Sequence, residues 1–473
     1  MDKKLVLVTG ATGYIASRLI PKLLERGYRV RCLVRHSLRL KARAWFPHVE
    51  VVHSDIIDPS TLAPAMEGVH TAYYLVHSMA SGQGYTSLEL DGARNFASAA
   101  EQAGVKHIIY LGGLADPQGK IAVHMRSRIE TGETLRKGKV PVTEFRAGVI
   151  VGPGSISFEM IRFMTELMPV IFGPTWLKNL SQPIATQNVI DYLLAGLENK
   201  AGWGKVYEIG GPDRMSYADL MLTYGRLRGL RRSSISVPGI PLWFMAMGVA
   251  WITPVPADIA RPLVDGLRSD SLVRDDRARR TFPYIQLIGY EEGAKIALSQ
   301  LRPDRLEPAW TDCEKPVKVM KHEGFFIDHR CQEVDAAPME VFQVVSTLGG
   351  ESGWLYADWL WRLRGWLDRL LGGPGMRGRN QDLKDGNVID FYRVEAVVNG
   401  RLLRLHSELK APGEGWMEWR VEDSDGEVRL SQTGFFAPRG LPGFVYWYLF
   451  GPIHKLVFRG LIKTIARKSE EQN

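Results

Sequence analysis

Short apolar runs and amphipathic helical stretches alternate along the first 150 residues. Residues 5–8 (LVLV) are continuously apolar and lead into a glycine-rich segment, Gly10 to Ala16. Residues 17–26 then put Leu19, Ile20, Leu23 and Leu24 on one helical face. Further strands are expected at 29–34, 49–53, 72–76, 107–111 and 142–150, with a helix over 88–103. Strand and helix alternating in this way predict a parallel sheet with helices on both faces. From 155 to 300 the pattern is less regular and richer in helix, with one strand at 206–209 before a Gly210-Gly211-Pro212-Asp213 turn.

Residues 302–318 carry three prolines and many charges without periodicity, which reads as a linker. Beyond it the pattern changes. A strand at 325–331, a helix at 338–347 and a Trp-rich helical segment at 354–371 precede strands near 388–398, 401–410, 415–422 and 427–436. A long helix over 444–468 closes the chain. The expected layout is therefore an α/β, Rossmann-type doubly wound parallel sheet over 1–305, a linker over 306–318, and an α+β domain over 319–473 built as a sheet around its last helix.

Composition narrows the partners. The chain has 473 residues, 45% hydrophobic and 24% charged, the balance of a globular protein. A net charge of +8 favours anionic partners such as nucleotide phosphates or a membrane surface. No long Lys/Arg run or zinc-finger spacing points to nucleic acid. Cys32, Cys313 and Cys331 are odd in number and widely spaced, which argues against a disulfide framework or a metal site and fits a reducing cytoplasm. The first residues run straight into a strand, without the pattern of a leader. Ser233 to Ala257 is uncharged, but its apolar core, Ile240 to Ile252, is shorter than the ~20 residues of a span. A buried or interfacial helix is expected there.

The segment Thr9-Gly10-Ala11-Thr12-Gly13-Tyr14-Ile15-Ala16 carries chemistry. Gly10 permits a tight strand-to-helix turn, and Gly13 lets backbone approach a pyrophosphate at the helix N-terminus, where free N–H groups and the positive dipole end meet it. Ala16 still permits close helix–strand packing. The following strand ends Leu33-Val34-Arg35, with Arg39 close behind and no acidic residue for a ribose 2′-hydroxyl. A guanidinium there suits a 2′-phosphate, so NADP(H) is expected over NAD(H). Asp55 can accept from an adenine amino group or simply cap a turn.

Together, Thr9-Gly10-x-x-Gly13-x-x-Ala16, Arg35 and Asp55-Ile56 resemble the short-chain dehydrogenase/reductase superfamily, closest to its atypical, NmrA-like branch. Tyr74-Leu75-Val76-His77-Ser78 resembles the fourth strand and its loop. Arg146-Ala147-Gly148-Val149-Ile150-Val151-Gly152-Pro153 resembles the segment that passes the nicotinamide. The resemblance thus implies a dinucleotide held by Gly10, Thr12, Gly13, Tyr14, Ile15, Arg35, Asp55, Ile56, Leu75, Val76, His77, Gly112, Gly113, Arg128, Gly148 and Val149. The superfamily's Tyr and Lys, four apart on one helix, correspond here to His124 and Arg128, and glycines 112 and 113 stand where it has a Ser. His124 is the expected proton donor, Arg128 the expected ribose contact, and the glycines make room for a bulky substrate.

The second part resembles the START-like (helix-grip, SRPBCC) superfamily, from Glu333-Val334-Asp335-Ala336-Ala337-Pro338 onward and by element order, and such domains enclose an apolar cavity. The two-domain order resembles a bacterial group of short-chain-dehydrogenase-family proteins. These resemblances imply three functions: an oxidoreductase for a bulky apolar carbonyl or enone, a dinucleotide-bound sensor or assembly factor without turnover, or a lipid or quinone carrier. Eight of 13 tryptophans lie beyond residue 305. Trp354, Trp359, Trp361 and Trp366 among arginines suit either a core or a bilayer interface. Lys455, Arg459, Lys463 and Arg467 form a basic stripe on the last helix, open to anionic lipid at the inner face of a membrane, while Ile453, Leu456, Val457, Leu461 and Ile465 are expected to face the core.

Overall fold

The computed structural model describes residues 4–77, 84–119, 121–306, 316–380, 382–424 and 426–471, without the side chains of Leu38, Arg39 and Ser424. The chain divides into two compact units, one of residues 1–165 and 169–300 and one of residues 166–168 and 301–473.

In the first unit, β1 (Leu5–Thr9), β2 (Arg29–Val34), β3 (Glu50–His53), β4 (Thr71–Tyr74), β5 (His107–Gly113), β6 (Val142–Ala147) and β7 (Val206–Ile209) form one sheet. Their order is β7-β6-β5-β4-β1-β2-β3, and every pairing is parallel. The first four helices to pack on it are α1 (Tyr14–Glu25), α2 (Pro59–Met66), α3 (Tyr85–Gln102) and α4 (Val123–Arg136). A further helix, α5 (Thr186–Glu198), packs beside α1. The apolar run of β1 is continuous because both of its faces are covered. Val6 and Val8 join the core under α1 and α5, whereas Leu5 and Leu7 join the core under α2 and α3. All five β1 residues are buried. The order reverses between β1 and β4, which opens a crevice at the carboxyl ends of those strands.

The uncharged stretch forms α6 (Leu242–Ile252), followed by α7 (Ala257–Gly266). Trp243, Phe244, Met247 and Trp251 of α6 are exposed, Trp251 at 77%, so the helix lies at the surface. Among the described residues, no helix is long and apolar enough to cross a membrane.

The second unit has β8 (Val317–His322), β9 (Phe325–Glu333), α8 (Pro338–Ser346), α9 (Asp358–Leu370), β10 (Val388–Ile389), β11 (Tyr392–Val398), β12 (Leu402–Ser407), β13 (Gly413–Ser424), β14 (Glu427–Pro438) and α10 (Gly440–Glu470). The sheet is antiparallel throughout, ordered β8-β9-β14-β13-β12-β11-β10. Met417, Trp419 and Val421 of β13 pack against Val457, Leu461 and Ile465 of α10 and Val341 and Val345 of α8. Two expectations need correction. Strand β8 starts at Val317, inside the stretch read as linker, because pairing with β9 supplies the order that its own sequence does not signal. Cys331, on β9, is disulfide-bonded, whereas Cys32 is a free buried thiol. Sequence spacing by itself does not decide which cysteines meet.

Gly10 has φ +64°, and a Cβ there would sit 2.8 Å from the Leu75 carbonyl oxygen. A Gly10→Ala variant is expected to lose about 1–2 kcal/mol or more of first-unit stability, combining left-handed strain with the clash. Urea denaturation followed by circular dichroism measures it, and an unchanged midpoint would remove Gly10 from this role.

Candidate functional site

The end of β1 is tied to the end of β4. Thr9 Oγ1 donates to the Tyr73 carbonyl at 3.1 Å and accepts from the Leu75 N–H at 2.9 Å. Gly13 N–H closes the turn onto the Gly10 carbonyl at 2.8 Å, and α1 starts at once. The N-terminus of α1 has no side-chain cap and no acidic residue in its first turn. Its first backbone N–H groups are therefore left without a capping side chain, with Thr12 exposed and Ile15 half-buried beside them.

Tyr14 contributes backbone rather than side chain here. Its hydroxyl is hydrogen-bonded to Thr186 Oγ1 at 2.7 Å, and Arg18 lies over its ring at 4.0 Å while donating to the Pro153 carbonyl at 2.9 Å. This clamp leaves no room for a side chain at Gly152, where a Cβ would be 2.6 Å from the Tyr14 hydroxyl.

Arg35 follows β2, is exposed, and has no ion-pair partner among the described residues. The Arg39 side chain lies outside the described residues. Asp55 Oδ1 accepts the Ile57 N–H at 3.1 Å, an ordinary turn cap, and Ile56 is buried against Gly92 of α3.

A second polar group gathers at the carboxyl ends of β4 and β5. His77 Nδ1 is hydrogen-bonded to one oxygen of Glu89, and Ser127 Oγ donates to the other. Among the described residues, His77 Nε2 is buried without a hydrogen-bond partner. Burial pushes the His77 pKa down, and the bond to Glu89 opposes this. Ser78, the last residue of the quoted strand-and-loop motif, lies outside the described residues. Glu89 and Ser127 were not singled out in the sequence. The signal for Glu89 was present, since Glu89, Ala93, Phe96, Ala97 and Ala100 are the buried stripe of α3 and a carboxylate on such a stripe needs partners.

His124 lies in the same neighbourhood but is not a surface group. It is 5% exposed, packed where a Cβ on Gly266 of α7 would be 2.6 Å from its ring, and its Nδ1 has no partner. Burial, then the nearby Arg128 and His77, push its pKa down to about 4, so the ring is neutral at pH 7. Arg128 donates to the Leu111 carbonyl at 2.8 Å, while its Nε is buried and unpartnered.

The two glycines that follow on β5 do not make space. A Cβ on Gly113 would be 2.8 Å from Met125 Cε and 3.2 Å from Arg128 Cδ; one on Gly112 would be 3.1 Å from Glu144 Oε1. Glu144 is fully buried, paired with Arg136 and with Arg146 Nε at 2.6 Å. Close packing of β5, β6 and α4 fills the space beside these glycines, and they do not open a substrate chamber. Gly148 faces Ser271 Oγ, and Val149 lines an apolar cavity of about 90 Å³ with Met160, Met164, Phe172, Met221 and Met245.

Known proteins resemble this chain in parts. Residues 2–162 match the NmrA-like family, and residues 322–461 match a family described as a protein of unknown function, DUF2867. Cinnamoyl-CoA reductase 1 of Oryza sativa subsp. japonica is 29% identical over 26% of this chain and 37% of its own length. Photosystem II assembly factor Ycf39 of Cyanophora paradoxa is 25% identical over 51% of this chain and 73% of its own. Among solved structures, an NADPH-dependent quinone oxidoreductase from Escherichia coli complexed with NADPH superposes with TM-score 0.51 at 18% identity, over 62% of this chain and 99% of that one. Citrobacter sp. triphenylmethane reductase complexed with NADP(H) does so with TM-score 0.50 at 22% identity, over 62% and 99%.

The state of His124 has a measurable consequence. Unfolded, a histidine binds its proton near pH 6.5; folded, His124 binds it only near 4. Between those values the unfolded chain holds more protons, so the stabilising effect of a neutral His124 is complete above pH 6.5 and is lost as pH falls to 4. Its size is at most roughly 3 kcal/mol. Urea midpoints of wild type should fall across that window, and those of His124→Leu should fall less. Equal slopes would mean that His124 titrates normally.

The first unit has a Rossmann-type fold, and its residues 2–162 resemble the NmrA-like family in sequence.

Proposed function

We propose that the first unit binds a dinucleotide, NADP(H) in preference to NAD(H), and serves as an oxidoreductase for a bulky apolar carbonyl or enone. The observation that carries this reading is the uncapped N-terminus of α1 behind the Gly10 turn, with an exposed Arg35 at the end of the neighbouring β2 that has no ion-pair partner among the described residues. Backbone N–H groups from Thr12 to Ile15 suit the pyrophosphate, and the Arg35 guanidinium suits a 2′-phosphate. The NADPH and NADP(H) complexes of the two structural relatives support the same cofactor class.

Bound NADPH would supply hydride. The proton belongs to His77 rather than His124, in this reading. Glu89 holds the Nδ1–H side of the His77 ring, leaving Nε2 to exchange a proton with the reacting oxygen. His124, neutral and packed against α7, keeps a positioning role beside Arg128. The Met-rich cavity at Val149 suits an apolar substrate, because unbranched thioethers adapt to irregular shapes. The second unit, START-like in element order, would bind or deliver that apolar molecule.

A second reading, a dinucleotide-bound assembly factor without turnover, is favoured by one observation. Gly112 and Gly113 leave the site without the superfamily's Ser, and Glu144, Met125 and Arg128 crowd the space that its side chain would take. The partial match to photosystem II assembly factors runs the same way.

Calorimetric titration of purified protein with NADPH and NADH in parallel tests the shared premise. Micromolar NADPH affinity is expected, with NADH at least ~20-fold weaker, about 1.8 kcal/mol, and the difference lost in Arg35→Ala. No binding to either, in folded protein free of retained nucleotide, removes the dinucleotide reading. With binding established, NADPH oxidation is followed with quinones and triphenylmethane dyes as trial substrates. His77→Gln should slow turnover at least ~100-fold at unchanged NADPH affinity. Binding without oxidation of NADPH by any trial substrate or cell extract favours the assembly-factor reading.

A further inference from the structure

The second unit turns apolar side chains outward in an ordered way. On α9, Trp359, Leu363, Trp366 and Leu370 recur at i, i+4, i+7 and i+11, one stripe along the helix. An amphipathic helix of a globular protein ordinarily directs such a stripe inward. Here all four are exposed, Trp359 at 64% and Leu370 at 65%, while Trp361, Gly365 and Asp368 are buried on the other side.

Helix α10 continues the theme. Leu441, Val445, Tyr448, Leu449 and Leu456 are exposed on one face, and Ile453 is exposed at its margin. At 100° per residue the same face runs on into Arg459, Lys463 and Arg467. Ile453 and Leu456, expected in the core, therefore belong to this outer face, and the basic stripe is only its far half. Lys455, Arg459 and Lys463 are exposed and have no ion-pair partner among the described residues.

The face has one sign of charge. From Gly440 to Ser469 there is no Asp or Glu, and the two acids at the helix end are engaged, Glu470 accepting from the Asp335 N–H and Glu471 pairing with Arg467 at 3.4 Å. The two acids of α9 are engaged: Asp358 accepts from the Trp354 N–H and Arg362, and Asp368 from the Gly375 and Lys410 N–H groups. Between α9, α10 and the sheet lies a cavity of about 190 Å³, walled by Trp361, Phe391, Tyr392, Trp447, His454 and Phe458. Leu363, Leu367 and Ile453 both line this cavity and are exposed, so its mouth opens between the two apolar stripes.

We propose that the α9–α10 face docks on an anionic lipid bilayer. Contiguous exposed apolar surface of this kind marks an interaction site. Charge complementarity selects the partner: a second copy would bring cations against cations, whereas anionic headgroups neutralise Lys455, Arg459 and Lys463. The Trp and Leu stripes enter the acyl boundary, with the cations of α10 at headgroup level. The cavity mouth then faces hydrocarbon, so an apolar ligand reaches it without crossing water. This surface lies wholly in the second unit and stands whether or not the first unit binds a dinucleotide.

The test is co-sedimentation of the full chain with phosphatidylcholine vesicles, with and without ~30% phosphatidylglycerol. Binding to the anionic vesicles is expected, at least ~10-fold weaker on pure phosphatidylcholine and weakened by raising salt from ~0.05 to ~0.5 M. Two double variants, W359S/W366S and R459E/K463E, should each lose at least ~10-fold in apparent affinity while melting as wild type, because all four residues are exposed. Folded full chain that ignores anionic vesicles, or variants that bind like wild type, overturns the proposal. So does a dimer in sedimentation velocity that W359S/W366S dissolves without any vesicle binding, which assigns the face to a second copy.

Discussion

The close approach of the β1–α1 turn to the end of β4 governs the first unit. Gly10 sits in the left-handed region with no space for a Cβ against the Leu75 carbonyl, and Thr9 bridges Tyr73 near the end of β4 and Leu75 just after it. Those contacts pin the carboxyl ends of two strands that are neighbours only because the strand order reverses there. Everything proposed for the site follows from that pinning. It aims the N-terminus of α1 into the crevice, sets Arg35 at the far side of β1, and brings His77 out of β4 at its near side.

Around that crevice the structure handles buried polarity by sharing carboxylates. Glu89 serves both His77 and Ser127, and Glu144 serves both Arg136 and Arg146. A buried carboxylate is tolerable only when its oxygens are occupied, so each fixes its neighbours tightly. The consequence for chemistry is selective. Among the described residues Glu89 leaves one nitrogen, His77 Nε2, without a partner, whereas Glu144 crowds the space beside Gly112.

The second unit solves a different problem. Its long last helix must cover a sheet with one side, and Val457, Leu461 and Ile465 do so. The other side of α10 and the outer stripe of α9 carry Leu, Trp and Tyr where a solvated helix would carry polar residues. Burial of Trp354 and Trp361, stacked at 4.4 Å between ring centroids, and exposure of Trp359 and Trp366 divide one Trp-rich segment between core and surface.

Much of this was legible in the residues alone. The α/β alternation, the Gly10–Ala16 turn and the change to an antiparallel half follow from local periodicity and from what glycine permits, which short windows of chain record. Arg35 at the end of β2 was legible for the same reason. Other features depended on side chains far apart in sequence. Glu89 and Ser127 meet across 38 residues, His124 loses its charge to packing against Gly266, and Gly112 and Gly113 are filled from α4 and β6. Periodicity showed a Trp-rich helical segment and a basic stripe on the last helix, but it left the tryptophans open between core and surface and turned Ile453 and Leu456 inward, whereas both are exposed. That choice belongs to tertiary packing, because a helix pattern gives the spacing of apolar residues and only the neighbours decide which face is left in water.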